Sequence, residues 1–174
     1  MSSVAADEEL MRRYALIHGG DSDAMRAELA RIKASGRPVV LVSACLLGVR
    51  CRYDGHDKRD DAAVARAAAD AEILPVCPEV LARFGVPRPA ITLSADGRLA
   101  TDARGRDVTA ALEAGVRLAD VIAREAGAVR ALLKERSPSC GVHEIHGPDG
   151  VQPGQGRFAA RLGKRSLPIV SERD

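Results

Sequence analysis

The sequence predicts an α/β protein: one domain with a mostly parallel sheet flanked by helices, Rossmann-like in arrangement, preceded by an N-terminal helical extension. Three observations predict it. Short apolar runs at residues 39–42, 72–76 and 128–133 each pass into a loop rich in small or polar residues, as buried strands do. Helical stretches at 60–71 and 108–126 separate those runs, and strands that alternate with helices pair in parallel. Three of the four cysteines follow directly, in Val42-Ser43-Ala44-Cys45, Leu74-Pro75-Val76-Cys77-Pro78 and Ser137-Pro138-Ser139-Cys140-Gly141.

Taken in order, residues 7–34 place Leu10, Met11, Tyr14, Leu16, Met25, Leu29 and Ile32 at helical spacing, broken at Gly19-Gly20, with Asp21 or Ser22 as the cap of a second helix. This extension, residues 1–36, carries no chemical motif, so the chemistry is assigned to a domain over 37–174. A first strand follows Gly36-Arg37-Pro38, and the Ala-rich helix 60–71 leads to the second strand, which ends at Cys77. Residues 91–102 read as a β-hairpin turning at Asp96-Gly97. The helix 108–126 aligns Leu112, Val116, Ala119 and Ile122, starts near Asp107 or Thr109 and stops at Gly127. The third strand then runs out through 134–140 to Cys140.

The 174 residues suffice for one domain with a sizeable core and no staples. Aliphatic and small side chains must fill that core, because there is no Trp and only two Phe and two Tyr, which also leaves few platforms for stacking bases. A formal net charge of +2, with basic residues interspersed among acidic ones, gives little drive toward a nucleic-acid backbone. Only four of the 26 basic residues are Lys, a bias expected of GC-rich coding rather than of phosphate recognition. No apolar segment resembles a secretory signal or a membrane span, so the protein is expected in the cytoplasm. Thiols stay reduced there, and four cysteines then point to metal binding or reactivity before disulfides.

In open α/β sheets ligands bind beyond the carboxyl ends of the strands, so Cys45, Cys77 and Cys140 are expected to meet at one point despite their separation in sequence. Three ligands leave one position of a tetrahedral site open for chemistry. Cys51 follows Cys45 in a spacing that is neither a zinc knuckle nor C-x-x-C, and is expected not to ligate. His143 and His146 lie in a Gly-rich loop and are expected to be solvent-exposed. Glu79, two residues from Cys77, is a candidate proton shuttle, and Ser137 and Ser139 are held with Cys140 by Pro138 and Gly141. A zinc–thiolate module and a reversible thiol pair use the same cysteines and stand as alternatives.

Ser43-Ala44-Cys45-Leu46-Leu47-Gly48, Arg52-Tyr53-Asp54-Gly55, Val76-Cys77-Pro78-Glu79-Val80, Pro87-Arg88-Pro89 and Lys134-Glu135-Arg136-Ser137-Pro138-Ser139-Cys140-Gly141 together resemble the bacterial family of domain of unknown function 523, whose characterised members are thiouracil desulfidases. The resemblance runs from about residue 39 to 172, including Gly154-Gln155-Gly156 and Ile169-Val170-Ser171-Glu172, and leaves the helical pair outside. It implies a 4Fe-4S cluster bound by Cys45, Cys77 and Cys140, with a fourth iron free of protein ligands. It also implies that Ser137 lies near the substrate and that an acidic residue, Glu79 rather than Glu72, serves as acid/base. The substrate implied is a small thiolated nucleobase of the 2-thiouracil type, converted to its oxo form by water with release of sulfide and no net redox change; another thio-compound is the alternative. Three segments depart from the family pattern: Ala82-Arg83-Phe84-Gly85 replaces Gly-Gly-Leu, Pro89-Ala90-Ile91 shortens Pro-Pro-Ala-Glu, and Arg157-Phe158 stands where a smaller, uncharged pair is usual. All three are expected to bear on the pocket wall.

Overall fold

The computed structural model describes residues 3–174. Its elements in chain order are α1 (Ser3–His18), α2 (Ser22–Lys33), β1 (Val39–Ser43), α3 (Asp61–Ala68), β2 (Glu72–Val76), α4 (Pro78–Leu81), the hairpin strands β3 (Ile91–Leu93) and β4 (Ala100–Asp102), α5 (Thr109–Glu125), β5 (Ala128–Leu133), a second hairpin of β6 (Glu144–Gly147) and β7 (Gly150–Pro153), α6 (Arg157–Gly163) and β8 (Ile169–Ser171). The main sheet has the order β2-β1-β5-β8, and each neighbouring pair is parallel. β1 is buried along its whole length, which is why it reads as an unbroken apolar run. From β1 the chain goes first to β2 on one side and then to β5 on the other. The resulting switch between β1 and β5 opens a crevice at their carboxyl ends.

The sheet divides the apolar interior in two. On one side Leu41 and Leu74 meet α5, whose Leu112, Val116, Ala119 and Ile122 are fully buried as the periodicity predicts. On the other, Val40 and Val42 meet α3 and the loop that carries Cys45 and Cys51. Helix α3 stops at Ala68, short of the expected residue 71. Asp70 takes a left-handed φ of 57° and the Ala71 amide turns back to the Ala68 carbonyl, which redirects the chain into β2. Asp21 is the cap of α2, accepting the amides of Asp23 and Ala24 at 2.9 and 3.0 Å. Gly127 ends α5 at φ 73°.

The N-terminal helices share this interior. Ile17, Leu29 and Ile32 are buried in the same core as α5, while Leu10 and Tyr14 pack against the opposite one. β2 is an edge strand and holds Pro75, a residue that edges tolerate. Its open edge is covered by α1: the Arg13 guanidinium donates to the Ile73 carbonyl at 2.8 Å and pairs with Glu72 at 2.8 Å and Glu28 at 3.1 Å. The segment 144–171, to which the sequence assigns no elements, folds as the second hairpin, α6 and β8. These are pieces of three to seven residues, too short to carry a periodic signal. Among the described residues no helix is long and apolar enough to cross a membrane.

Asp120 ties α5 to α6. Buried on α5, it accepts from Arg161 at 3.0 Å and Arg165 at 2.5 Å. Burial alone would raise its carboxyl, but the Arg165 and Arg161 hydrogen bonds overcome it and hold the group below the usual aspartate value. A carboxyl depressed in the folded state contributes stability above its unfolded pKa and loses it as pH falls through the folded one. Asp120→Asn should therefore cost about 1–3 kcal/mol at neutral pH and less in acid. Denaturant melts at the two pH values read this directly, and an equal loss at both would contradict the assignment.

Candidate active site

All four cysteines line one cavity of about 670 Å³ at the carboxyl edge of the sheet. Cys45 sits just past β1 in a 3-10 turn, Ala44–Leu47, closed by Gly48 at φ 89°. Cys77 is the residue between β2 and α4. Cys140 returns after β5 on the loop from Lys134. The three thiols that the sequence singles out are thus brought together. Cys51 comes in beside them, and its thiol meets those of Cys45 and Cys77. Sequence spacing tests only sequential pairing, so it gave no sign of a contact made across the mouth of two strands.

The thiols are electrostatically unequal. Donation from Cys51 is the largest influence on Cys77; with Arg88 nearby, it holds Cys77 below the usual thiol value despite burial and the charge of Glu79. Cys51 moves the opposite way, because it keeps its proton to bridge Cys45 and Cys77 and is itself buried. Burial and then Glu79 push Cys140 up, against a hydrogen bond from Ser43.

Asp60, Glu79, Glu135 and Glu172 line the cavity, and of these Glu79 is the one that accepts from the serines beside Cys140. It is buried, its Oε2 takes Arg88 Nη2, and its Oε1 accepts from Ser139 Oγ at 2.7 Å and Ser137 Oγ at 3.2 Å. Glu72 lies at the far end of β2 among Arg13, Arg31 and Arg37, away from the thiols. Ser137 Oγ accepts the amides of Ser139 and Cys140 at 3.2 and 3.0 Å, which leaves its own proton for Glu79. Arg88 also donates from Nη1 to the carbonyls of Cys51 at 2.9 Å and Gly85 at 3.0 Å, while its buried Nε–H has no partner among the described residues. His146 stands exposed on the rim, and exposed His143 pairs with Asp174 at 3.0 Å.

The Cys140 loop is clamped by distant parts of the chain. The Lys134 amide donates to Ser43 Oγ at 3.0 Å, which fastens the end of β5 to the end of β1. Buried Glu135 accepts the amides of His143 and Glu144 at 2.9 and 3.0 Å, and Glu172 accepts the Glu135 amide at 2.8 Å. At the start of α6 the Arg157 and Phe158 amides donate to the carbonyls of Pro138 and Ser139, at 3.0 and 2.8 Å. This closeness demands Gly156, since a Cβ there would fall 2.4 Å from the Ser139 backbone. The closing motifs of the sequence therefore act on Cys140.

Two expected wall segments lie elsewhere. Phe158 is fully buried in the core, and Arg157 donates to the Gly97 carbonyl at 2.7 Å; neither lines the cavity, and nor do residues 82–85. Ala90 and Ile91 do line it. The contacts of four residues went unread in the sequence: Cys51, Arg88, Tyr14 and His18. Burial pushes His18 down to about 4, so it is neutral, and its Nε2 accepts the Cys77 amide at 3.0 Å. No local signal marks it, because the contact spans 59 residues. Thiols suit soft, thiophilic metals, although among the described residues no three His, Cys, Asp or Glu side chains are arranged to hold one metal ion.

Comparison with known proteins adds three findings. The model of the 2-thiouracil desulfurase family matches residues 40–174. The uncharacterized protein YbbK of Bacillus subtilis (strain 168) is 32% identical over 148 residues, which cover 78% of this chain and 97% of YbbK. A solved structure of TudS, a 4Fe-4S-dependent thiouracil desulfidase, shares the fold with a TM-score of 0.69 and 34% identity, over 79% of this chain and 92% of that one.

The Gly156 contact yields a direct test. Gly156→Ala should push the Ser139–Cys140 backbone outward, at a cost of about 1–3 kcal/mol, and should speed alkylation of the buried Cys140 thiol relative to Cys45. Mass spectrometry of partially labelled protein resolves the two sites; unchanged relative rates would show that the approach is not confining.

Proposed function

The chain belongs to the 2-thiouracil desulfurase family, and on that premise we propose that it replaces the sulfur of a 2-thiouracil-type nucleobase with oxygen from water, using a 4Fe-4S cluster held by Cys45, Cys77 and Cys140. One observation carries the reading: thiols leaving three parallel strands converge on a single cavity that also holds Glu79, Ser137 and Arg88. The residues fit such a group. The donors are soft, the cavity of about 670 Å³ exceeds what one ion needs, and the unpartnered Nε–H of buried Arg88 offers a donor to an anion. Cys51, whose thiol meets those of Cys45 and Cys77, is assigned as a neighbour of the ligands rather than as a ligand.

When bound, the cluster supplies an iron without a protein ligand, a Lewis acid with affinity for soft sulfur. The chain supplies the rest. Glu79 is the general base, drawing a proton from the attacking water at Oε1, while Arg88 fixes its other oxygen. Ser137 and Ser139 hold that carboxylate in register with Cys140, and Ser137 is placed to position the substrate. Ala90 and Ile91 offer an apolar wall to the ring. A thiocarbonyl and water give a carbonyl and hydrogen sulfide, so atoms balance without electrons entering or leaving.

Protein reconstituted without oxygen should bind iron and acid-labile sulfide and release sulfide from 2-thiouracil with formation of uracil; zinc-loaded protein should release none. If fully loaded protein frees no sulfide from any thiopyrimidine or thiopurine, the desulfidase reading falls. Cys45→Ser should abolish bound iron, whereas Cys51→Ser should leave it nearly unchanged. Glu79→Gln and Ser137→Ala should keep the cluster and slow turnover by roughly 10² to 10⁴, the range for lost acid–base assistance.

A further inference from the structure

Cys77 begins α4 without a side-chain cap, and its amide faces the open edge of β2, where no strand can accept it. The acceptor comes from α1: His18 Nε2, at 3.0 Å. The tautomer follows from the two partners. His18 Nδ1 faces the Tyr14 carbonyl at 2.9 Å and must donate to it, so the lone pair lies on Nε2, toward the Cys77 N–H. The Tyr14 ring stacks on the imidazole with centroids 4.0 Å apart and an interplanar angle of 22°, which fixes the ring plane.

The end of α1 is gripped from the other side as well. Arg83 Nη1 donates to the His18 carbonyl at 3.3 Å, and Gly20, at φ 91°, brings the chain so close that a Cβ would lie 2.6 Å from Arg83 Nη2. Arg83 itself has φ 65°, an unfavourable conformation for a long side chain. It belongs to a segment that departs from the family pattern, and it reaches a helix that precedes the first matched residue, 40.

We propose that the N-terminal helical pair is a positioning arm for the second cysteine loop, with His18 fixing the Cys77 backbone and so the aim of its sulfur into the cavity. The proposal rests on Cys77 being a cluster ligand, as inferred above. His18 is a positioning residue: it touches the ligand's amide, not its sulfur. Cys77 is the most exposed of the four cysteines as a residue, and His18 holds it through its backbone. An amide released from His18 is also free to turn toward sulfur, and hydrogen bonds to cluster sulfurs shift reduction potential.

The test compares His18→Leu, which removes the acceptor, with His18→Gln, whose carbonyl restores one, in the full-length protein reconstituted without oxygen. Three quantities are read: iron per chain, the rate of cluster bleaching by a chelator, and the electron paramagnetic resonance spectrum of the reduced cluster. His18→Leu should bleach roughly 10-fold or more faster, as lost support of a metal ligand typically allows, with altered g-values, and His18→Gln should recover most of both. Should His18→Leu not fold, Arg83→Ala, which frees the His18 carbonyl from a surface position, should move the same readings in the same direction by a smaller factor. Wild-type rates and spectra in a folded His18→Leu, or in Arg83→Ala where it must stand in, overturn the arm while leaving the cluster intact. A wild-type chain that takes up no iron overturns the cluster assignment, and the arm with it.

Discussion

The ion pair between Glu79 and Arg88 is the interaction on which the rest of the site depends. Both side chains are buried, and removing two charges from water costs several kcal/mol per ion unless the remaining donors and acceptors are met. Nearly all of them are met by backbone and hydroxyl groups of the surrounding loops. Arg88 reaches the Cys51 and Gly85 carbonyls, and Glu79 takes Ser137 and Ser139. Loops from three separate strands are thereby satisfied by one pair of charges. The same pair gives the cavity its polarity, a fixed carboxylate beside thiols and a cation beneath them.

How much of this was legible before the fold was known differs by element. β2 and β5 read with the bounds they adopt, and β1 within one residue, because fully buried parallel strands are continuous apolar runs. The long helix α5 announced itself by the apolar line of Leu112, Val116, Ala119 and Ile122. Convergence of Cys45, Cys77 and Cys140 followed from topology alone, since parallel strands deliver their loops to one edge. The preference for Glu79 over Glu72 has its physical ground in β2, which begins at Glu72 and carries the chain away from it to the thiol end of the sheet. What stayed hidden was tertiary in origin: Cys51 beside Cys77, His18 under the same residue, and Arg157 and Phe158 serving the hairpin and the core. Such contacts join residues far apart in sequence and leave no periodic mark.

Two kinds of support meet at Cys140 and Cys77. The Cys140 loop is held by backbone amides from the start of α6 and by the carboxylates of Glu135 and Glu172, each of which accepts main-chain amides. The Cys77 loop is held by side chains of a helix at the opposite end of the sequence. The clamp from α6 tolerates change in its side chains but not in Gly156, the carboxylate clamps depend on Glu135 and Glu172, and the hold on Cys77 depends on the side chains at positions 14, 18 and 83. The two loops are therefore expected to differ in how substitution reaches them.

Glu172 meets Lys134 and the Glu135 amide, and α1 meets Cys77, so the fastenings of the cavity extend from residue 18 to residue 172. During synthesis the chain emerges from its N-terminus, and the last of those fastenings leaves the ribosome only after β8 has been made. A nascent chain made as far as Cys140 already has His18 to hold Cys77, while the Cys140 loop still lacks the start of α6 and Glu172. The Cys77 side of the cavity is thus fastened by chain made early and the Cys140 side by chain made late.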